Sequence, residues 1–197
     1  LRVTSDVLIP RGDSEVLVER ALEHAAARRV LDCGTGSGAL LLAVLANLPG
    51  ASGTGIDRSA EALAVARGNA AALGLENRAA MVLADWHAPG WADGLGGPFD
   101  LILANPPYVE DDAELSPSVA AHEPAGALFA GADGLDDYRV LIPQLPALLA
   151  PGGTALVEIG AAQAEAVSAI ARGAGLAARL HRDLGGRDRV LELSRGE

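Results

Sequence analysis

Residues 99–108 read Phe-Asp-Leu-Ile-Leu-Ala-Asn-Pro-Pro-Tyr, an apolar run that ends in Asn105-Pro106-Pro107-Tyr108. Such a run predicts a strand buried on both faces of a parallel sheet. The prolines end it, because they lack an N–H and push the preceding residue toward an extended backbone. Asn105 is therefore expected at the edge where open α/β sheets bind ligands. An amide oxygen beside the Tyr108 ring suits a planar amino or amide group. A strand that merely ends in a turn is the alternative interpretation.

A glycine loop stands between another apolar run and an apolar helix pattern. Gly34-Thr35-Gly36-Ser37-Gly38 follows residues 30–33 and precedes residues 39–48. Glycines at such a turn let a ligand approach the backbone and the helix N-terminus. The loop alone is ambiguous, because Gly34-x-Gly36-x-x-Ala39 with an acid at Asp57 also satisfies the dinucleotide fingerprint. It lacks the Lys-Ser/Thr ending of a phosphate-binding P-loop.

Acidic residues near the loop favour a cofactor that carries an amino-acid ammonium group. Asp32 directly precedes the loop and offers a carboxylate to that group. Asp57 is expected to bind a ribose with either kind of cofactor. Asp85 is placed to accept from an adenine amine, and Trp86 to stack on the ring. A position at the rim of the core explains Trp86 equally well.

Strands alternate with helices along the chain and then close with an adjacent pair of strands. The pattern predicts an α/β, doubly wound, mostly parallel seven-stranded sheet with an antiparallel last strand. Strands are predicted at 30–33, 53–57, 80–84, 99–104, 154–159, 177–182 and 189–193. Helices are predicted from Asp13 or Ser14 to about 28, at 39–48, and at 60–73, where Ser59 is expected to cap the helix. Two more are predicted at 162–174 and from Asp136 or Asp137 to about 150, the latter with bends at Pro143 and Pro146.

Composition restricts the class of protein. The 197 residues are 50% hydrophobic, which fits one domain over 1–197 with residues 1–15 as an N-terminal segment. A single cysteine, Cys33, allows no disulfide framework and suits a reducing compartment. Apolar stretches are interrupted well before ~18 residues, so no membrane span is expected. The sequence thus predicts a cytoplasmic chain, which we expect to be a monomer.

Charge and histidine positions argue against two kinds of ligand. The net charge is −11, and all 15 basic residues are arginine. An acidic domain without a basic run offers few contacts to a phosphate backbone, which makes a nucleic-acid partner unfavourable. His24, His87, His122 and His181 are scattered, and no His/Cys/Asp/Glu cluster has metal-ligand spacing, so no metal is predicted.

Taken together, the motifs resemble those of class I S-adenosylmethionine-dependent methyltransferases. More closely, they resemble the protein-glutamine methyltransferases of peptide chain release factors, the HemK/PrmC family. The resemblance covers almost the whole chain and is carried by residues 8–15, the run 32–38, Asp57, Asp85-Trp86, residues 105–108, His122-Glu123-Pro124, residues 131–139 and residues 183–190. Gly12 and Ser14 depart from the proline and threonine usual in the family. In the family, a helical domain precedes the motif at residues 8–15, whereas the present sequence begins at about that motif. This difference bears on how the substrate docks.

The resemblance implies a Rossmann-like fold, S-adenosyl-L-methionine as cofactor, and a release factor as protein substrate. Gly34, Thr35, Gly36, Ser37, Gly38, Asp57, Asp85, Trp86 and Asn105 would bind the cofactor. Asn105 and the backbone carbonyl of Pro106 would hold the target amide, Tyr108 would pack on its plane, and Pro107 would complete the substrate site. Alternatives are methylation of an exocyclic amine of DNA or RNA, methylation of a ribosomal-protein glutamine, or a cofactor-binding module that needs a missing partner.

Overall fold

The fold is a seven-stranded sheet covered on both faces by helices. The computed structural model describes residues 1–113 and 124–196. The strands are β1 (Arg29–Cys33), β2 (Ser52–Asp57), β3 (Ala79–Leu83), β4 (Phe99–Ala104), β5 (Leu149–Glu158), β6 (Leu176–Arg182) and β7 (Asp188–Arg195). Their order is β3-β2-β1-β4-β5-β7-β6. Strand β7 runs antiparallel to both of its neighbours, and the other pairs are parallel. The predicted α/β class and antiparallel last strand are confirmed.

Two buried clusters fill the space between the sheet and its helices. The described α-helices are α1 (Glu15–Glu23), α2 (Ala39–Asn47), α3 (Ala60–Ala72), α4 (Asp136–Leu141), α5 (Leu145–Leu148) and α6 (Ala164–Gly173). Side chains of α1, α2 and α3 pack on one face with Leu101 and Leu103 of β4, whereas α4 to α6 pack on the other face with Ile102 and Ala104. Alternate residues of β4 therefore enter opposite cores, as expected for a central strand.

Capping residues and prolines in the sequence predict most helix boundaries correctly. Ser59 caps α3 by accepting from the Ala62 N–H at 3.0 Å. The predicted break at the prolines also occurs, because a 3₁₀ turn, Ile142–Gln144, separates α4 from α5. Strand β5 begins five residues earlier than predicted, at Leu149, where it pairs with Phe99 of β4. Residues around Pro151 are thus included in the strand even though they have no apolar pattern.

The first helix differs from its prediction at both ends. It ends at Glu23 rather than near residue 28, and a 3₁₀ turn, Gly12–Ser14, precedes it. The Ser14 side chain makes no capping hydrogen bond, because its hydroxyl donates to Glu158 instead. Ser14 therefore occupies the N-cap position of α1 without a side-chain capping bond.

Parts of the segment 109–134, for which no helix or strand is predicted, are structured. Val109 forms a β-bridge with Phe129, and Ala125–Ala127 form a 3₁₀ turn. The motif residues His122 and Glu123 lie outside the described residues. Within the described ranges, no helix has both the length and the apolar character that a membrane crossing needs.

Candidate active site

A cavity of about 460 Å³ opens where the parallel strands end, the edge expected to bind ligands. Its volume falls in the range of about 300–1,000 Å³ typical of small-molecule sites. The N-terminal segment, the glycine loop and the ends of β2 to β5 all contribute to it. Predicted site residues in its lining are Gly34, Thr35, Gly36, Ser37, Asp57, Asp85, Trp86, Asn105, Pro107 and Tyr108.

Asp57 holds the glycine loop in place from the end of the neighbouring strand. One carboxylate oxygen accepts from the Gly36 N–H at 2.9 Å, and the other accepts from the Ser59 N–H at 2.9 Å. Gly36 has a φ of +53° and no atom within 4 Å of the position a Cβ would take. The backbone is therefore open to a ligand at this point. A carboxylate has about four acceptor sites, so Asp57 retains capacity for ribose hydroxyls.

Trp86 lies against the glycine loop and is fixed by a hydrogen bond. Its Nε1 donates to Asp137 Oδ1 at 2.9 Å. A Cβ on Gly34 would lie 3.2 Å from the Trp86 ring, so a side chain there would crowd the indole. Trp86 also packs on the buried cluster beneath it. The indole thus both covers core and forms a wall of the cavity, and the two interpretations of Trp86 are compatible.

Asp32 does not lie in the cavity, contrary to the expectation that it would meet an ammonium group there. Its side chain is fully buried and accepts from Thr35 Oγ1 at 2.6 Å. Burial raises the pKa of Asp32 from 3.8 to about 7, and the Thr35 hydroxyl offsets only part of that effect. The Asp32 side chain therefore supports the glycine loop from behind and does not line the cavity.

Asn105 and Tyr108 lie at the cavity beyond the end of β4, as the sequence predicts. Both side chains are partly buried, and burial raises the pKa of the Tyr108 phenol, which stays neutral. Gln163 Nε2 donates to the Tyr108 carbonyl at 3.1 Å, which fixes the backbone after the two prolines. The amide and the ring are therefore presented from a braced turn.

Glu158 is a cavity residue that the sequence analysis missed. Ala104 of β4 is paired with Val157 of β5, and Asn105 and Glu158, the residues that directly follow this pair, both line the cavity. Glu158 is 2% exposed, and burial raises its pKa. A charged residue that ends an apolar strand at the ligand-binding edge was the signal that could have identified it.

Ser14 links the N-terminal segment to this carboxylate. Its hydroxyl donates to Glu158 Oε2 at 2.6 Å across 144 positions of sequence. Asp13 next to it forms an ion pair with Arg189 of β7 at 3.2 Å. Asp6 and Arg11 of the segment also line the cavity. The N-terminal segment thus forms part of the cavity lining.

Two predicted site residues, Gly38 and Pro106, are not in the cavity lining. Gly38 has a φ of +81°, and a Cβ there would lie 3.0 Å from the Leu42 side chain and 3.3 Å from Ala66. Because Gly38 has no side chain, the start of α2 can pack closely against α3. Gly38 itself does not line the cavity. Pro106 is buried, and the role of its carbonyl stays a prediction. Among the described residues, no three His, Cys, Asp or Glu side chains are grouped as metal ligands would be.

Comparisons with known proteins agree with this geometry. Residues 11–123 match the model of the "Methyltransferase small domain" family. Release factor glutamine methyltransferases from Rhodospirillum rubrum and Caulobacter vibrioides are each 48% identical, over 97% of this chain and over 59% and 67% of their own lengths. The chain belongs to the release factor glutamine methyltransferase family.

The fold of the family is also that of more distant methyltransferases. The structure of a ribosomal protein L11 methylase from Lactobacillus delbrueckii subsp. bulgaricus has a TM-score of 0.66 and 24% identity, covering 97% of this chain and 82% of that one. This likeness supports the class I methyltransferase fold. The chain spans about three fifths to two thirds of the length of the two bacterial family members compared above.

Proposed function

We propose that this chain transfers a methyl group from S-adenosyl-L-methionine to the side-chain amide nitrogen of the Gly-Gly-Gln glutamine in peptide chain release factors. The observation that carries the proposal is a single cavity lined both by the glycine loop and by Asn105, Pro107 and Tyr108. Membership of the family supports the release factor as substrate. We also propose that the chain is a monomer and acts in the cytoplasm.

The charge of the lining suits a cationic cofactor. Carboxylates outnumber cations in the lining, with five acidic residues (Asp6, Asp57, Glu61, Asp85 and Glu158) against two arginines (Arg11 and Arg58). Opposite charges attract more strongly near a protein surface than in bulk water, so this lining favours a sulfonium and an ammonium group. Asp57 would take the ribose hydroxyls, and Trp86 and Asp85 the adenine. The bound cofactor would supply an already activated methyl group.

Asn105 would act on the nitrogen of the target amide. An amide nitrogen is a poor nucleophile because its lone pair is delocalised. Acceptors that hold both N–H bonds stabilise the nitrogen as it becomes tetrahedral, more than they stabilise the planar ground state. The Asn105 side-chain oxygen and the Pro106 carbonyl would be these acceptors. No strong base is needed first, because the proton can leave after the new N–C bond has formed.

Tyr108 and the prolines would place the amide for transfer. The reacting nitrogen and methyl carbon need to approach to about 3–3.5 Å in line with the bond that breaks. The Tyr108 ring restricts the amide to one plane, and the prolines restrict the backbone that presents Asn105. The site thus contributes mainly orientation and hydrogen-bond acceptors.

Mass spectrometry of a release factor incubated with the chain and isotopically labelled cofactor tests this function. We expect one labelled methyl group on the Gly-Gly-Gln glutamine. Label on a ribosomal-protein glutamine or on a nucleic-acid amine instead would replace the proposed substrate. Calorimetry gives an independent check on the cofactor. Tight binding of NAD, without binding of S-adenosyl-L-methionine, would refute the methyltransferase assignment for this chain.

A further inference from the structure

The hairpin between β6 and β7 stands at the same edge of the sheet as the cavity. Strand β7 is antiparallel to β5 and to β6, so β6 runs in the direction of β5. The turn that links β6 to β7, residues 183–187, therefore lies at the carboxyl-terminal edge of the sheet. Residues 183–190 belong to the sequence pattern that resembles the family, and the proposed reaction assigns no role to the tip of this hairpin.

The hairpin is rigid because Asp183 joins its two sides. The Asp183 N–H donates to the Arg187 carbonyl at 2.9 Å, and the Gly186 N–H donates to the Asp183 carbonyl at 2.9 Å. Asp183 Oδ1 also accepts from the Arg187 N–H at 2.9 Å, and its other oxygen pairs with Arg187 Nε at 3.3 Å. Gly186 supplies the left-handed backbone that the turn requires, with a φ of +77°.

The base of the hairpin is fixed to the substrate side of the cavity. Arg189 is buried, forms an ion pair with Asp13 at 3.2 Å and donates to the Ile159 carbonyl at 3.3 Å. Ile159 directly follows Glu158, which lines the same cavity as Asn105. The hairpin thus lies on the β5 side of the proposed amide site, at the strand next to β5, whereas Asp57 and Asp85 follow β2 and β3 on the other side of β1 and β4.

Leu184 is the exposed feature of this rigid turn. Its side chain is 99% exposed, more than any other large hydrophobic residue in the described ranges. The charges around it already have partners, because Arg182 pairs with Asp188 at 2.8 Å and Arg187 pairs with Asp183. The hydrogen-bonded turn therefore presents an apolar side chain to solvent, and the charged side chains beside it are paired with each other. A preformed apolar contact of this kind suits a protein surface better than a phosphate backbone.

We propose that Leu184 and the 183–187 turn form a docking contact for the folded release factor whose glutamine enters the cavity. The inference rests on the proposed function, because only a substrate that is a folded protein extends over this edge while its glutamine is bound at Asn105. A short peptide that carries the same glutamine reaches Asn105 without touching the hairpin. Docking at the hairpin would add affinity for the whole substrate and leave the chemical step unchanged.

The test compares Leu184→Ser with a matched control, Leu73→Ser. Leu73 is 51% exposed at the end of α3, which begins beyond β2 and ends at the opposite edge of the sheet. Methylation of an intact release factor and of a short Gly-Gly-Gln peptide is measured with each variant. We expect Leu184→Ser to lower kcat/KM for the release factor about tenfold, through KM, as for a central contact residue. Its kcat/KM for the peptide, and both values for Leu73→Ser, stay near those of the parent.

Three results would overturn the docking contact. The first is that Leu184→Ser and an active parent methylate the release factor with the same kcat/KM. This result would refute the docking contact but not the proposed function. The second is an equal loss on the peptide, which would mean that the turn acts on the glutamine site itself. The third is a parent that methylates neither substrate, which removes the proposed function and the docking contact together.

Discussion

Replacing Asp32 with asparagine should make the protein more stable, and increasingly so as the pH rises toward neutrality. The carboxyl is fully buried, and its pKa is raised from 3.8 to about 7 by burial. Each pKa unit corresponds to about 1.4 kcal/mol of preference for the neutral form. An ionised Asp32 therefore lowers the free energy of unfolding by about 4 kcal/mol, a large share of the roughly 5–15 kcal/mol of a typical domain.

The direction with pH follows from which state binds the proton. Below pH 3.8 the carboxyl is protonated in both the folded and the unfolded chain, and it carries no penalty. Between 3.8 and about 7 the unfolded chain ionises while the folded chain does not, so stability falls as the pH rises. Above about 7 both states are ionised, and the penalty stays constant. Asparagine has no such titration, so the stability gap between Asp32→Asn and the parent grows across this range.

Urea unfolding of the parent and of Asp32→Asn at about pH 5 and about pH 8 measures the effect. At the lower pH, the difference in free energy of unfolding between Asp32→Asn and the parent includes the cost of replacing a carboxylic acid with an amide. The informative quantity is therefore the increase of this difference from the lower to the higher pH. We expect the difference to grow by roughly 2–3 kcal/mol over this interval.

Asp133→Asn is the control of opposite sign. Asp133 is exposed, and its hydrogen bond to Arg139 lowers its pKa. Its contribution is present above the ordinary value of 3.8 and is lost as the pH falls below it. The gap between Asp133→Asn and the parent should therefore not change between the two conditions. A gap for Asp32→Asn that is equally constant would refute the assignment of a buried carboxyl with a raised pKa.

Further predictions concern the two walls of the cavity. Asn105→Ala should lower single-turnover methylation of a release factor by about 10²–10³-fold with cofactor saturating, because it removes an acceptor needed most in the transition state; a folded variant within a few-fold of the parent contradicts this role. Asp57→Ala should weaken cofactor binding in calorimetry by about 1–3 kcal/mol, since the ribose loses a charged acceptor and the Gly36 N–H its partner; unchanged affinity excludes Asp57 as a ligand. Ser14→Ala should raise the cofactor dissociation constant, because the Ser14–Glu158 hydrogen bond holds the N-terminal segment against the cavity; a change in thermal melting alone would separate the segment from the cofactor.

The class of fold was predictable because its signals are local. A glycine loop between an apolar strand and an apolar helix, and Pro106-Pro107 at the end of β4, depend on backbone preferences of neighbouring residues. The capping Ser59 and the broken helix at Pro143 follow from the same kind of preference. Parallel strands then bring their carboxyl ends to one edge, which is why Gly36, Asp57 and Asn105 line one cavity.

Side-chain partners far apart in sequence were decided by the tertiary structure. Ser14 has the sequence context of a helix cap, yet packing of α1 on the sheet brings its hydroxyl to Glu158, and a charge-assisted bond to a buried carboxylate prevails over a cap at the surface. Asp32 has the context of a ligand, yet its side chain is fully buried and accepts from Thr35 behind the loop. The sequence by itself determined the backbone path that builds the site. Only the packed sheet decided which carboxylates face the cavity and which are buried behind it, because burial depends on elements that meet across the whole chain.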